Sequence, residues 1–309
     1  MPFNALDLNN LRLAVLIDAE NVPRNCIKSV MEEIAIYGTP TIKRIYGDWT
    51  IPVVSGWKTS LLENAITPVQ QYSYTTGKNS SDSAMIIDAM DILYSEKTDG
   101  FVIVSSDSDF TRLAIRLREA GQRVIGIGER KTPSAFIAAC DKFTYIEVIR
   151  AKAEEALAES DETHADSDET HADSDEKHSG NDAAQGDNDE THDDGAEQGH
   201  DAGDGAQKAQ GANRDKHHGQ PRQRGVKIPK SVIQLISDSV ADLAGDSGSV
   251  FMGELGNLIL KKQPDFDHRN FGYKSLSSMI KSIDRFEIEF RQTTDPNIKH
   301  VFVRDKEAG

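Results

Sequence analysis

The ten residues Phe101-Val-Ile-Val-Ser-Ser-Asp-Ser-Asp-Phe110 decide the fold. Four consecutive apolar residues read as a strand buried on both faces, which is the habit of parallel sheets. The polar run that follows puts Asp107 and Asp109 at the strand's carboxyl end, and Phe110 to Ala120 reads as a helix stopped by Gly121. The same grammar recurs along the chain. Arg12–Asp18 is a second apolar run, ending in Asp18 and followed by Glu20 and Asn21. Pro23 opens a helix to about Ala35, since proline suits a first turn. Thr41–Tyr46 and Ile66–Tyr72 read as strands and Val54–Asn64 as a helix. Ser81 caps a helix to about Tyr94, with Ala84, Ile87, Ala89, Ile92 and Leu93 turned inward. Arg123–Ile127 and Phe143–Ile149 finish the strands. Strands alternating with helices predict an α/β fold, a parallel sheet with helices on both faces.

Ligands of such sheets bind at the carboxyl ends of the strands. Three separate segments bring carboxylates there: Asp18, Asp82 and the pair Asp107 and Asp109. Two unit charges 4 Å apart repel by roughly 1 kcal/mol in water and about 4 kcal/mol at an effective dielectric of 20. Helix N-termini near Asp82 and Asp109 offset about 0.3–1 kcal/mol each. Mg²⁺ or Mn²⁺ would offset more, because all-oxygen donor sets suit hard ions that keep waters and a substrate phosphate in the remaining positions. Each aspartate taken singly could be only a helix cap; three segments converging favour a site. Asp88 lies six residues beyond Asp82, about 600° round the helix, and reads as a supporting group at most. Residues 1–150 contain no histidine, which removes His-based hydrolysis and zinc from this domain. Gly126-Ile-Gly128 is followed by Lys131 where a dinucleotide fingerprint needs glycine.

Leu13-Ala-Val-Leu-Ile-Asp18-Ala-Glu-Asn21, Lys78-Asn-Ser-Ser-Asp82 and Ser105-Ser-Asp-Ser-Asp-Phe110 together resemble the NYN domain, a PIN-like nuclease fold, over about residues 10–150. The resemblance implies a metal-dependent ribonuclease. It maps Asp18, Asp82, Asp107 and Asp109 onto acidic metal-binding, catalytic residues, Asn21 onto a polar partner, and Lys78 onto a group that contacts the substrate phosphate. Glu20 is an extra acid in the first motif, free to join the site or to point away.

The chain's formal net charge of −16 argues against polyanion binding only until it is divided. Residues 151–220 hold 21 acidic and 5 basic residues, so the whole excess sits there. That stretch has no Phe, Trp or Tyr and is expected to be a disordered linker. A seven-residue repeat begins at Ser160, but its would-be apolar positions hold alanine at best, so a coiled coil is rejected. Seven of the nine histidines lie here and read as part of a solvated tether. Freely flexible, about 70 residues would span roughly 40–50 Å.

Beyond it, Pro229–Leu243 is amphipathic, Met252–Leu260 and Tyr273–Ile283 read as two more helices, and Phe286–Phe290 with Lys299–Val303 form a hairpin across the turn Thr293–Asn297. Three helices and a hairpin predict a winged helix. Gly253-Glu-Leu-Gly-Asn-Leu-Ile-Leu through Phe266, Phe271-Gly-Tyr273 and Lys274 resembles the OST-HTH, or LOTUS, domain over about 226–304, which implies RNA binding or docking of a protein partner. Lys261, Lys262, Arg269 and Lys274 are the candidate nucleic-acid contacts, beside aromatics that either stack bases or fill the core.

The expected organisation is a nuclease domain over 1–150, an acidic linker over 151–225, a winged helix over 226–304 and a tail over 305–309. The expected activity is divalent-metal-dependent hydrolysis of RNA. A non-catalytic RNA-binding adaptor with a vestigial acidic cluster is the alternative, and DNA cleavage would use the same chemistry. No apolar run reaches the ~18 residues of a membrane helix, and no basic n-region precedes Leu11, so a cytoplasmic protein without a membrane span is expected. Two cysteines, Cys26 and Cys140, read as buried thiols. The oligomeric state stays open.

Overall fold

The computed structural model describes residues 11–50, 56–72, 80–165, 227–245, 248–292 and 299–307. The linker from 166 to 226, Lys78 and the turn Thr293–Asn297 lie outside the described residues.

The N-terminal domain runs β1 (Arg12–Asp18), α1 (Ile27–Ala35), β2 (Thr39–Gly47), α2 (Lys58–Glu63), β3 (Thr67–Gln70), α3 (Ser80–Tyr94), β4 (Gly100–Val104), α4 (Thr111–Glu119), β5 (Arg123–Gly128), α5 (Ser134–Ala139), β6 (Lys142–Tyr145) and α6 (Ile146–Ala165). Six strands form one sheet in the order β3-β2-β1-β4-β5-β6, every neighbouring pair parallel. This is the expected PIN-like plan. Leu13 to Ile17 and Phe101 to Val104 are all fully buried, as strands covered on both faces require. Alternation divides β1 between two cores. Leu13, Val15 and Ile17 pack with α1, α2 and the start of α6, while Ala14 and Leu16 pack with α3, α4 and α5. The chain leaves β1 toward β2 on one side and β4 continues the sheet on the other, so the carboxyl ends of β1 and β4 flank the topological switch point.

Several details differ from expectation. Pro23 caps a short 3-10 turn, Arg24–Cys26, before α1 begins. Phe143–Ile149 is not one strand: β6 ends at Tyr145 and α6 starts at Ile146, whose spacing to Ile149 puts both on the core side of a helix. Residues 151–165 continue that helix, because Ala-Lys-Ala-Glu-Glu-Ala-Leu-Ala-Glu is made of strong helix formers. Ile87 is 63% exposed, and Met85 takes the inward position with Ala89, Ile92 and Leu93. Both cysteines are buried thiols.

The C-terminal domain runs α7 (Lys230–Leu243), β7 (Ser249–Phe251), α8 (Met252–Lys262), a 3-10 turn at His268–Phe271, α9 (Leu276–Lys281), β8 (Phe286–Gln292) and β9 (Lys299–Asp305). Strands β7, β9 and β8 make an antiparallel sheet in that order, so the wing gains a strand the periodicity did not show. Ser275 opens α9 with a capping box to Ser278. Val232, Ile236, Leu255, Ile259, Met279 and Ile280 form the core with Phe266, and Phe271 and Tyr273 pack partly buried against it. Asp305 belongs to the domain rather than a tail: it is buried, accepting from Ser237 Oγ at 2.7 Å and from Arg285.

The two domains pack together. Arg269 sends its guanidinium to both oxygens of Glu33 in α1, at 2.6 and 2.8 Å, and folds back on Asp267. Glu33 is 2% exposed and also accepts from Tyr37 Oη at 2.7 Å. Burial raises the Glu33 carboxyl, but the hydrogen bonds from Arg269 and Tyr37 and the charges of Arg269 and Lys152 bring it net below the usual range. Beside this pair, Phe143 N on the edge strand β6 donates to Pro264 O at 2.8 Å, and Tyr145 Oη donates to Asp265 at 2.7 Å.

Candidate metal centre

Asp18 is the last residue of β1 and is 2% exposed. Its Oδ1 accepts from Glu20 N at 3.0 Å; its Oδ2 accepts from Asn21 Nδ2 at 2.8 Å and from Ser105 Oγ at 2.9 Å. A buried carboxylate with three donors is both satisfied and fixed in orientation. Ser105 follows β4 directly and is fully buried. Its Oγ also accepts from Asp107 N at 3.1 Å, so one hydroxyl ties the first acidic segment to the third. Sequence reasoning missed Ser105; the available signal was its position between a buried strand and the first aspartate. Ser106 anchors the same loop from below, accepting from Glu129 N at 2.8 Å.

Asp107 caps the 3-10 turn Ser108–Phe110, accepting from Asp109 N at 2.9 Å. It therefore does cap a helical turn. Its other role is compatible with that one, because a carboxylate has lone pairs to spare. One carboxylate oxygen from each of Asp82, Asp107 and Asp109 lies within 4.8 Å of the others, close enough to serve one small cation. Asp82 reaches this point from the first turn of α3 and is 8% exposed. Burial, then the charges of Asp18, Asp107, Asp109 and Glu20, push its carboxyl up to about 6. Glu20, though exposed, thus stands near enough to add to the negative field.

That field is the test of fit for a metal. The charges of Asp18, Asp107, Asp109 and Glu20 all act on Asp82, and the three groups that converge offer carboxylate oxygens, the donor set that Mg²⁺ and Mn²⁺ take. Asp18 stands beside the triad with its oxygens engaged by Asn21, Ser105 and the Glu20 amide. Asp88 is elsewhere: it is held by Arg44 and by the phenol of buried Tyr46 on β2, which fastens α3 to the sheet. The Tyr46 carbonyl accepts from Ala19 N at 3.0 Å, so this anchor also touches the residue after Asp18.

Of the four basic candidates on the winged helix, Lys261 is exposed and Lys274 has 77% of its side chain exposed, 3.7 Å from Glu155. Lys262 pairs with Asp242 at 2.6 Å. Arg269 is the one not at an open surface, committed to Glu33 and Asp267 in the domain contact. A hollow of about 820 Å³ lies at the opposite, amino-terminal end of the sheet, lined by Leu11, Asp99, Arg123 and Asp141 among others, and shares no residue with the acidic cluster.

Two family models match the chain. The model of the NYN domain matches residues 12–147, and that of the OST-HTH/LOTUS domain matches residues 227–298. No curated protein matches the chain. Among solved structures, a protein of unknown function from Vibrio parahaemolyticus is similar at 19% identity, over 45% of this chain and 94% of its own, with a TM-score of 0.39. An uncharacterized protein from Nitrosomonas europaea is similar at 28% identity over 33% of this chain and 94% of its own, with a TM-score of 0.25. A protein from Chromobacterium violaceum follows at 26% identity, 29% and 91% coverage, and a TM-score of 0.22. The chain therefore carries an NYN domain, of the PIN-like nuclease superfamily, followed by an OST-HTH/LOTUS domain.

Proposed function

We propose that the chain is a divalent-metal-dependent ribonuclease that hydrolyses RNA phosphodiester bonds, its winged helix holding the RNA. The observation that carries the proposal is the convergence of Asp82, Asp107 and Asp109 within 4.8 Å, beside Asp18, at the switch point of the sheet. Asp82, Asp107 and Asp109 would hold Mg²⁺ or Mn²⁺, with Asp18 completing the acidic wall. When bound, such an ion supplies charge neutralisation at the phosphate and a water of lowered pKa.

The protein groups have definable work. Asn21 and Ser105 hold the Asp18 carboxylate at a set angle, and Ser105 also sets the loop that carries Asp107. Lys78 would meet a phosphate of the substrate. Lys261, Lys262 and Lys274 would meet phosphates away from the cut and position the strand without reading its sequence. No helix among the described residues is long and apolar enough to cross a membrane, which suits a polymer-processing role in solution.

The test is incubation of the full chain with end-labelled single-stranded RNA and, separately, DNA, with Mn²⁺, with Mg²⁺ and with EDTA. The proposal expects metal-dependent RNA products that Asp107→Asn does not form. Intact RNA throughout, with RNA still bound, would replace this reading by a non-catalytic adaptor; equal cutting of DNA would remove the RNA restriction.

A further inference from the structure

The wing presents a ring surface that neither catalytic carboxylates nor the lysine patch explains. In the sheet β7-β9-β8, alternation turns Val250, Phe286, Ile288 and Val303 toward the helices. The alternate residues face the other way, and three of them are rings. Phe251 on β7 lies 5.9 Å from Phe302 on β9 and 5.1 Å from the His300 imidazole, centroid to centroid. From β8, the Arg291 guanidinium sits 4.2 Å over the Phe302 ring. Phe251 and Phe302 are half-buried and His300 and Arg291 exposed, so the rings cover β7 and β9 and the guanidinium extends the surface onto β8. A Cβ on Gly253 would come within 2.7 Å of the Phe251 ring, so the absence of a side chain there is what lets the ring lie as it does.

Rings gathered on one face of a sheet and left half-buried there form a contact surface that a partner can cover. The chemistry selects one. Partly exposed ring faces beside an exposed imidazole can stack unpaired bases, and the guanidinium over Phe302 adds a cation to the stack. At the wing's far end Arg291 pairs in register with His300, and Lys299 with Gln292, which gathers cationic and neutral groups there. Glu289 lies 2.8 Å from Arg291 and faces the same way, which limits phosphate contact at that point and favours stacking. Double-stranded RNA hides its base faces, so only a single strand can use this surface.

We propose that this outer face, centred on Phe251, Phe302 and His300, is a base-stacking platform for single-stranded RNA, distinct from the lysines of α8 and its following turn. It rests on the reading of the chain as an RNA-directed protein and adds where and in what form the RNA is held.

The experiment measures binding of the full chain to a fluorescein-labelled 12-nucleotide oligouridylate by anisotropy, in EDTA so that nothing is cut. Phe251→Leu/Phe302→Leu keeps apolar volume and removes the rings. The platform predicts at least about tenfold weaker binding, since stacking on each ring contributes several-fold to over a hundredfold. Arg291→Ala/His300→Ala, at exposed positions, should weaken binding severalfold and guards against a folding defect in the first variant. In the wild type, 4-thiouridine RNA should crosslink to β7 or β9. Unchanged affinity in both variants, with crosslinks confined to 261–274, overturns the platform and leaves the face to another occupant such as a peptide. A wild type that binds no RNA overturns the platform too. Binding lost on ring removal in a chain that never cuts RNA would instead uphold the platform and defeat the nuclease reading.

Discussion

Replacing Asp82 by asparagine should make the protein more stable and less able to hold a metal. Asp82 is nearly buried, and burial with the charges of Asp18, Asp107, Asp109 and Glu20 lifts its carboxyl from 3.8 to about 6. A folded pKa above the unfolded one means that the native state favours the protonated acid. That advantage is complete below about pH 4 and is lost as pH rises through 6, after which the ionised group burdens the fold. Two units correspond to roughly 3 kcal/mol, and water on the open edge of the cluster screens this to about 1–2 kcal/mol. Asp82→Asn keeps the shape and removes the charge. Urea unfolding in EDTA should therefore show the variant equal to wild type at pH 4 and about 1–2 kcal/mol more stable at pH 8. Millimolar Mn²⁺ should raise the wild-type midpoint at pH 8 and move the variant much less, because an ion that binds only the folded chain stabilises it by mass action. A variant less stable than wild type at pH 8, or one that gains as much from Mn²⁺, would refute the claim that Asp82 carries repelled charge at a cation site.

Three further outcomes follow from other contacts. Arg269→Ala leaves the buried Glu33 with only the Tyr37 hydroxyl and the Lys152 ammonium 3.7 Å away, so unfolding experiments should show a loss of about 3 kcal/mol, with Arg269→Met/Glu33→Leu recovering most of it; wild-type stability should fall in acid as the depressed Glu33 carboxyl is protonated. Ser105→Ala removes the hydroxyl shared by Asp18 and Asp107; a urea midpoint lowered by about 1–3 kcal/mol and RNA cleavage reduced at least tenfold, roughly the weight of one misplaced catalytic group, are expected. Burial pushes the Cys26 and Cys140 thiols up to about 11 and about 12, so Ellman's reagent at pH 8 should label neither in the native chain and both in urea.

Much of this molecule is legible from local pattern. Strands buried on both faces announce themselves as apolar runs, and Asp18 and Asp107 stand at their ends because strand-to-loop transitions are visible in sequence. The same rule misled at Phe143–Ile149, where an apolar run spans a strand end and a helix start. Ser134–Ala139 forms a helix too short for its periodicity to register. Ile87 and Met85 exchanged expected sides because α3 is apolar on most faces, and only its seat on the sheet decides which side is buried. Pairing across distance is where pattern reading stops. Arg269 reads as a surface cation near aromatics, yet its partner Glu33 lies 236 residues earlier. Ser105 looks like loop filler until β1 and β4 are placed side by side. The outer rings of the wing were hidden for the same reason: Phe251 belongs to a three-residue strand that exists only through its pairing with β9.

The central claim is that the carboxylates of Asp82, Asp107 and Asp109 hold the ion with which the chain cuts RNA. The direct measurement is the single-turnover cleavage rate of a labelled single-stranded RNA across a Mn²⁺ series, for wild type and Asp107→Asn at matched RNA occupancy. The account predicts a saturable rise with Mn²⁺ in wild type, reversed by EDTA, and a loss of about a hundred- to a thousandfold in the variant, in keeping with removal of one electrostatic stabiliser of the transition state. Cleavage that ignores Mn²⁺, or an Asp107→Asn chain that cuts at the wild-type rate, would contradict it.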